Sequence, residues 1–384
     1  MAQFDVALHL IGGQNIPNYI AIKHLDAEKH ILLTTGEMME VAKRLKGSLI
    51  EYGSRIVIEG VDDAFHLDGL IHQFTTLRQR YEGKRVALNV TGGTKLMALM
   101  LLHAFYEMKG RESFYIEAHN RNELISITKN KVLPLAPCFE DANTFVSLQS
   151  LELLSRYKDR RPGEAELAVA RELRKIRVEV LKDYTHFFAG VLDKYRRARG
   201  KLGKEDYEGI AQKTNGVRTL FSSEESKTDF DILKDELSQE MLWGFLGGRW
   251  FEAYTYGLFQ SFSEAAKQKV RGLRLGVPVY YKDKEAEKKE RQELDLAYTD
   301  GFALWAIECK ARKQVDQEDI LKVESNVLRY GGTFGRGVLV SAYEQDRKVL
   351  ERMKTSKNVM LVHGEDVEHL EEALLNWRPG VWTR

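Results

Sequence analysis

Four ionisable side chains interrupt a pair of otherwise apolar segments in ELDLAYTDGFALWAIECKAR, residues 293–312. Three of them are acids, Glu293, Asp295 and Glu308, and the fourth is Lys310. Partly buried carboxylates repel one another and cost free energy unless a cation neutralises them. Hard divalent cations such as Mg²⁺ prefer oxygen ligands, and a lysine beside the metal can orient water or stabilise charge on a phosphate. These residue types are therefore those that phosphodiester hydrolysis needs.

The elements that position these side chains are predicted to form a β-hairpin. Asp300-Gly301 between two alternating runs is a strong signal for a two-residue turn, in which Thr299 pairs with Phe302. In that register Glu293 lies opposite Glu308, and the residue two places further along the first strand, Asp295, lies opposite Ala306.

Because side chains alternate along a strand, Asp295, Glu308 and Lys310 are expected on one face, with Glu293 as a reserve ligand. Asp295, Glu308 and a backbone carbonyl near Cys309 would form half of a metal coordination shell. The pattern leaves one alternative open, a solvent-exposed hairpin face with ordinary charge alternation. The other face is expected to be core, and its members are Leu294, Leu296, Trp305, Ile307 and Cys309.

An acid on one strand followed by Glu-x-Lys on the next resembles the PD-(D/E)xK nuclease family, with Asp295 and Glu308-Cys309-Lys310 in the motif positions. The resemblance implies a restriction-endonuclease-like fold and Mg²⁺ or Mn²⁺ held by Asp295, Glu308 and the backbone of Cys309, with Lys310 assisting catalysis. Family members often carry a further acid on the preceding helix, and Glu252 in GRWFEAYTY matches it as a catalytic and metal-binding candidate. The proline that usually precedes the first acid is absent. Weaker candidates on the following helix are Glu324 and Asn326.

The N-terminal part alternates strand and helix signals, which predicts a mostly parallel, doubly wound α/β sheet. Three of its strands run into polar or glycine-containing turns, at residues 12–15, 34–37 and 91–95. Ligands of such sheets bind beyond the carboxyl ends of the strands. Glycines there permit a close approach to the backbone, and helix N-termini donate N–H groups to anionic oxygens. Each turn alone is also compatible with a plain strand-to-helix connection, but together they favour a phosphate-bearing ligand. Neither a Walker A nor a GxGxxG pattern is present.

The segment NVTGGTKLMAL resembles the strand-four motif of CARF domains, the Rossmann-like sensors of cyclic oligoadenylates, and GGQNIPN occupies the place of their strand-one motif. The resemblance implies a homodimer that holds one cyclic ligand, here expected to be cyclic tetra-adenylate, across its two-fold axis. The expected ligand contacts are Gly12, Gly13, Gln14, Asn15, Thr91, Gly92, Gly93, Thr94 and Lys95, with Thr35 added from the third turn.

Length and composition indicate the number of domains and limit the kinds of site that the chain can contain. A chain of 384 residues predicts two or three domains, and we divide it into a sensor domain (1–138), a helical connector (139–240) and a nuclease domain (241–384). The net charge of +1 excludes an overall basic field, so a nucleic-acid site must be local. Two cysteines indicate neither a disulfide framework nor a cysteine zinc site. Because no signal peptide or membrane-spanning run is seen, we expect a cytoplasmic protein without a membrane partner.

The combined pattern resembles the accessory nucleases of type III CRISPR systems. It implies a metal-dependent endonuclease of antiviral defence that is activated by cyclic tetra-adenylate. Its expected substrate is single-stranded RNA, DNA or both, with nicking of duplex DNA as a further activity. Two alternatives remain open. One is a CARF-linked transcription regulator that binds DNA through the basic run at residues 194–204, which is also compatible with a solvated helix end. The other is a stand-alone repair or restriction-type nuclease that needs no cyclic nucleotide.

Overall fold

The computed structural model describes residues 2–117, 123–149, 151–153, 161–281, 292–312 and 314–377. Two sheets organise these ranges, one of seven strands and one of six. Across the same ranges, every helix is too short or too polar to cross a bilayer.

The N-terminal domain is a doubly wound sheet in the order β3-β2-β1-β4-β5-β6-β7, whose first five strands are parallel. Its strands are β1 (Phe4–Leu10), β2 (Ala27–Thr34), β3 (Ile56–Gly60), β4 (Val86–Asn89), β5 (Arg111–Glu117), β6 (Glu123–Ser126) and β7 (Lys131–Pro134). Its helices are α1 (Ile16–His24), α2 (Met39–Gly47), α3 (Leu67–Arg80) and α4 (Lys95–Ala104), with 3₁₀ turns at Gly36–Met38 and Ile50–Arg55. The predicted mostly parallel sheet is confirmed. Because β1 and β4 are neighbours, the turns that follow them meet at the point where strand order reverses.

The middle of the chain is mainly helical, as expected. Its elements are α5 (Ala142–Ser147), β8 (Leu151–Leu153), α6 (Glu164–Lys175), α7 (Val178–Arg197), α8 (Lys204–Thr219), α9 (Glu224–Glu236) and α10 (Gln239–Gly244). The short strand β8 was not predicted, and it forms the edge of the C-terminal sheet. A three-residue strand has too little sequence pattern to be found without its pairing partner.

The C-terminal domain surrounds a mixed sheet in the order β13-β12-β11-β10-β9-β8. Its strands are β9 (Arg271–Tyr281), β10 (Gln292–Thr299), β11 (Leu304–Lys310), β12 (Gly335–Ser341) and β13 (Val359–His363). Its helices are α11 (Trp250–Ser261), α12 (Glu264–Lys267), α13 (Gln317–Asn326), α14 (Arg347–Met353) and α15 (Leu370–Asn376). π turns span Phe245–Arg249 and Val327–Gly331, and 3₁₀ turns span Gly332–Phe334 and Gly364–His369.

The hairpin of β10 and β11 forms, but the predicted register is wrong. Thr299 pairs with Leu304 rather than with Phe302, so the loop has four residues. The Asp300 carboxylate closes it by accepting the N–H groups of Phe302 at 2.9 Å and Ala303 at 2.7 Å. A side-chain acceptor has therefore replaced the two-residue turn. The shift is by two residues, and continuing the pairing by one residue places Asp295 opposite Glu308. Leu294, predicted on the same face as Leu296, instead packs into the cluster that contains Leu304.

The expectation of one buried and one charged face is also corrected, because both faces of this hairpin are covered. Leu304 and Ala306 pack into one hydrophobic cluster, and Trp305 and Ile307 pack into a second cluster on the other face. Glu308 is only 3% exposed, so the alternative of a solvent-exposed charged face is wrong.

One hydrophobic cluster is continuous between the two domains. It includes Ile11 and Ile16 of the N-terminal domain, the linking Phe145, and Leu304 of the C-terminal sheet. The hairpin loop adds polar contacts, since the carbonyl of Gly301 accepts the N–H groups of Cys138 and Phe139. The domains therefore share a packed interface, and close packing transmits a displacement on one side to the other.

Candidate functional site

Asp295 and Glu308 come together where the two strands of the hairpin separate. The backbone pairing of β10 with β11 ends at Leu296 and Ile307. Beyond it the Asp295 Oδ2 atom accepts the N–H of Cys309 at 2.7 Å. A side chain thus replaces the backbone ladder and fixes the orientation of the first candidate ligand. The backbone carbonyl near Cys309 stays a predicted metal ligand.

The acids of this cluster repel one another strongly. Burial and the neighbouring Glu308 raise the pKa of Asp295 to about 7, although the Cys309 N–H and Lys310 act in the opposite direction. Burial and then Asp295 raise the pKa of Glu252 well above its usual range. Glu252 projects from the first turn of α11, so the structure brings this third predicted acid into the electrostatic field of the other two. Such mutually perturbed acids are typical of functional sites.

Lys310 lies inside the cluster, as its position in the motif predicts. Its Nζ atom is 2.8 Å from Glu308 Oε1 and 3.2 Å from Asp319 Oδ1. Burial lowers the pKa of Lys310, but the carboxylates of Glu308, Asp319 and Asp295 together raise it by more, so the net shift is upward. Lys310 therefore places a positive charge between a strand carboxylate, Glu308, and a helix carboxylate, Asp319.

The sequence analysis missed two members of this cluster, Lys322 and Asp319 of α13. Lys322 Nζ is 2.6 Å from the same Glu308 Oε1 atom that binds Lys310. Asp319 is also ion-paired to Arg312. The available signal was the spacing: residues three apart on one helix share a face, and α13 is the first helix after the Glu-x-Lys strand.

The weaker candidates lie elsewhere. Glu324 is ion-paired to Arg352 at 3.1 Å, and Asn326 is buried with its Oδ1 atom lacking a hydrogen-bond partner among the described residues. The reserve ligand Glu293 is exposed to solvent.

Two carboxylates match what a magnesium-type ion requires of a protein. Within the described ranges, no group of three or more His, Cys, Asp and Glu side chains is arranged to hold a metal ion. Mg²⁺, however, is usually bound through one or two carboxylates, with waters and substrate phosphates completing its shell. Burial and the repulsion from Glu308 raise the pKa of Asp295, and a divalent cation would offset this cost of holding the two carboxylates ionised. Asp295 and Glu308 therefore fit such an ion.

The glycine turns of the N-terminal domain meet at the carboxyl ends of β1 and β4. A Cβ atom on Gly12 would lie 2.9 Å from the Gly93 nitrogen, and one on Gly92 would lie 2.1 Å from the Leu10 oxygen. Gly93 also has a φ of +72°, which disfavours any side chain. Thr35 follows β2, the strand beside β1, and is half-buried. The predicted ligand residues therefore belong to one edge of the sheet.

Two of the predicted hydroxyl donors in this edge are already engaged by the protein. Thr91 Oγ1 donates to Asn89 Oδ1 at 2.8 Å and accepts the N–H of Ile116 at 2.9 Å. Thr94 Oγ1 donates to a backbone carbonyl and caps α4 by accepting the N–H of Met97. Both threonines shape the turn, whereas Lys95 at the start of α4 is exposed. Backbone N–H groups and the Lys95 ammonium are the donors best placed for an anionic ligand.

The two predicted amide contacts also have partners within the chain. Asn15 is fully buried, and its Nδ2 atom donates to the carbonyl of Val41 at 2.8 Å. Gln14 reaches across to the C-terminal domain, where its Oε1 atom accepts the hydroxyl of Thr333 at 3.0 Å. Gly13 is exposed at the tip of the same turn.

Solved structures share this fold. Protein VC1899 from Vibrio cholerae matches with a TM-score of 0.72 and 14% identity over 97% of each chain. Can2 from Sulfobacillus thermosulfidooxidans, solved with cyclic tetra-adenylate, matches with a TM-score of 0.65 and 17% identity over 97% of each chain. A type III CRISPR defence DNA nuclease activated by cyclic oligoadenylate matches with a TM-score of 0.54 and 19% identity, over 98% of this chain and 53% of that one. At these identities the likeness shows the fold alone.

Family models match both ends of the chain, and among curated proteins none matches it. The model of the Card1 CARF domain covers residues 6–137, and the model of the Card1-like endonuclease domain covers residues 239–381. The expected pairing of a CARF domain with a nuclease domain is confirmed. The chain thus joins an N-terminal domain of the Card1 CARF type to a C-terminal domain of the Card1-like endonuclease type.

Proposed function

We propose that the protein is a metal-dependent endonuclease of type III CRISPR antiviral defence, that cyclic tetra-adenylate activates it, and that it acts in the cytoplasm as a homodimer. Its substrate would be single-stranded RNA, DNA or both, with nicking of duplex DNA as a further activity. The observation that carries this proposal is the buried Asp295, Glu308 and Lys310 cluster in a Card1-like endonuclease domain. Can2, with the same fold, was solved bound to cyclic tetra-adenylate.

The residues of the cluster have separable roles in the proposed reaction. Asp295 and Glu308 would hold Mg²⁺ or Mn²⁺, with Glu252 as a further acid beside them. A bound ion of this kind supplies Lewis-acid activation of water and neutralises phosphate charge. The Cys309 N–H keeps Asp295 oriented. Lys310, held between Glu308 and Asp319, would stabilise the charge that gathers on the scissile phosphate.

The CARF domain would bind the cyclic ligand at the edge formed by residues 12–15, 35 and 91–95. Gly12, Gly92 and Gly93 allow the two turns to pack closely against each other there. Lys95 and the N-terminus of α4 would contact the phosphates.

Exposed apolar residues on the CARF domain support the homodimer. α3 and α4 pack side by side, and exposed apolar residues lie on them and at their ends. Leu99 of α4 is 59% exposed, Tyr106 just after it 71%, and Phe65 just before α3 75%. Exposed apolar side chains are typical of interaction surfaces, and a second copy of the chain would cover those on α3 and α4.

One assay tests the activity. Labelled single-stranded RNA, single-stranded DNA and supercoiled plasmid are each incubated with Mn²⁺, with and without cyclic tetra-adenylate. We expect cleavage of at least one substrate that increases with the activator. No cleavage of any substrate under activated conditions would refute the nuclease proposal.

The assay also separates the two alternatives. A stand-alone nuclease would cut at full rate without the activator. A transcription regulator would bind DNA and leave it intact, but the basic run that it would use is largely neutralised. Lys194 is paired with Asp206 at 2.7 Å and Arg196 with Glu240 at 3.4 Å. This pairing favours a solvated helix end over a phosphate-binding surface.

A further inference from the structure

A hydrogen bond joins the ligand edge of the CARF domain to the nuclease domain. Gln14 Oε1 accepts the hydroxyl of Thr333 at 3.0 Å and is 3.4 Å from its backbone nitrogen. Gly332 lies against the Gln14 amide. It has a φ of +56°, and a Cβ atom added at this position would lie 3.0 Å from Gln14 Oε1. Any other residue at 332 would be strained and would crowd the amide.

On the CARF side, Gln14 belongs to a turn that touches the predicted phosphate-binding turn. Gly12, two residues before it, is in direct contact with Gly93. Asn15, the residue after it, is fully buried and anchored to Val41. Gln14 is thus held between a rigid anchor and the glycines that a ligand would approach.

On the nuclease side, Thr333 lies at the far end of a segment that begins beside the candidate catalytic centre. α13 is followed directly by the π turn Val327–Gly331 and then by the 3₁₀ turn Gly332–Phe334. Thr333 is eleven positions after Lys322 in this segment. At that end Lys322 binds Glu308 and Asp319 binds Lys310.

We propose that the Gln14–Thr333 hydrogen bond couples ligand binding in the CARF domain to the catalytic centre, with the segment from Asp319 to Thr333 as the moving element. This inference rests on the proposed function and deepens it. A ligand shifts a protein between two arrangements only through contacts that differ between them. The π turn provides a place for such a change, because these single-turn insertions carry one extra residue and recur at functional sites.

The decisive variant is Thr333→Val, because Thr333 lies in the nuclease domain and outside the ligand edge. We expect cyclic tetra-adenylate to bind it, by calorimetry, with nearly the wild-type Kd, while the fold stimulation of cleavage falls about fivefold, the value of a typical side-chain hydrogen bond. Thr333→Ser, which keeps the hydroxyl, should restore the stimulation. Gln14→Leu should lower it similarly, and the double variant should lose no more than either single variant, since all remove one contact.

Gln73→Leu is the control, since the Gln73 amide also makes a side-chain hydrogen bond, by donating to the carbonyl of Gly60, but entirely within the CARF domain. It should keep the wild-type stimulation. Three results would each overturn the coupling role. One is unchanged stimulation in Thr333→Val, and another is additive losses in the double variant. The third is an equal fall in cleavage with and without the activator. If the wild-type protein itself is not stimulated by the activator, the proposed function fails instead, which keeps the two failures distinct.

Discussion

Lys322 and Glu308 are fourteen residues apart in the chain, yet the Lys322 Nζ atom lies 2.6 Å from Glu308 Oε1. Lys310 binds the same oxygen at 2.8 Å. Two ammonium groups therefore converge on one carboxylate that is only 3% exposed. This arrangement makes α13 part of the candidate catalytic centre, together with the strand that carries the Glu-x-Lys motif.

Removal of the second ammonium should slow cleavage. We expect Lys322→Met to lower kcat about tenfold, because it removes one of two positive charges near the reacting phosphate. Lys322→Arg, which keeps the charge, should retain most of the activity. The measurement is activated cleavage under single-turnover conditions. Lys348→Met on α14, an exposed lysine, is the control. Equal rates for Lys322→Met and the wild type would remove Lys322 from the site.

The motif residues themselves should be far more sensitive. Glu308→Gln and Lys310→Met should each lower activated cleavage about 100-fold or more, because each removes a charge that is used in the transition state. Binding of cyclic tetra-adenylate, measured by calorimetry, should be unchanged, since both residues lie in the nuclease domain. Cleavage at the wild-type rate by either variant would place the active site elsewhere in the domain.

Asp295 should make the metal-free protein less stable as the pH rises. Its pKa of about 7 in the folded protein lies above the ordinary value, so the folded state binds more protons than the unfolded state between about pH 4 and pH 7. The free energy of unfolding therefore falls across this window. Asp295→Asn should be more stable than the wild type at about pH 8, by an amount on the order of 2 kcal/mol, and the difference should shrink towards pH 4.

Thermal melts in the presence of a metal chelator, at about pH 5 and about pH 8, measure this effect. Added Mn²⁺ should then raise the Tm of the wild type at the higher pH and leave that of Asp295→Asn nearly unchanged, because a ligand that binds only the folded state stabilises it. If the Tm difference between Asp295→Asn and the wild type does not depend on pH, the pKa of Asp295 is not raised in the folded protein.

The ligand edge can be tested at one glycine. Gly92→Ala should abolish activator binding, because its Cβ atom would lie 2.1 Å from the Leu10 oxygen and would push the β4–α4 turn away from β1. Gly47→Ala on α2 has open space around the added methyl group and serves as the control. Calorimetry with cyclic tetra-adenylate is the measurement. Wild-type affinity in Gly92→Ala would show that the ligand binds elsewhere.

The proposed homodimer should depend on the exposed face of α4. Leu99→Glu should yield a monomer in sedimentation-velocity experiments and lose activator binding, because it places a charge in an apolar contact. Ile232→Glu is the matched control, since Ile232 is also an exposed apolar residue but lies on α9. A Leu99→Glu dimer of unchanged stability would exclude this face as the interface.

Sequence reasoning was most successful where one short segment contains all of the information. The alternation of strands and helices predicts the parallel N-terminal sheet because its central strands β1 and β4 are buried on both faces and stand out as apolar runs. Asp295, Glu308 and Lys310 were predicted on one face because strand periodicity is a local property. The glycine turn at residues 91–95 was likewise visible, since a close backbone approach requires glycine whatever surrounds it.

The features that sequence reasoning missed all depend on contacts between distant segments. Asp300-Gly301 predicts a two-residue turn, but the Asp300 carboxylate and docking of Cys138 on Gly301 produce a four-residue loop. Lys322 resembles any helix lysine until α13 packs on β11. The bond from Gln14 to Thr333 joins segments that no local pattern connects.

The sequence by itself therefore determined the two domain types, the acids and lysine of the candidate catalytic motif, and the turns at the candidate ligand edge, because periodicity and backbone freedom act over a few residues. Only the tertiary structure decided the register of the hairpin, the second lysine on Glu308 and the Gln14 contact between domains. Those features arise from packing and hydrogen bonding between segments up to 319 residues apart, and no local pattern encodes which partners such segments meet.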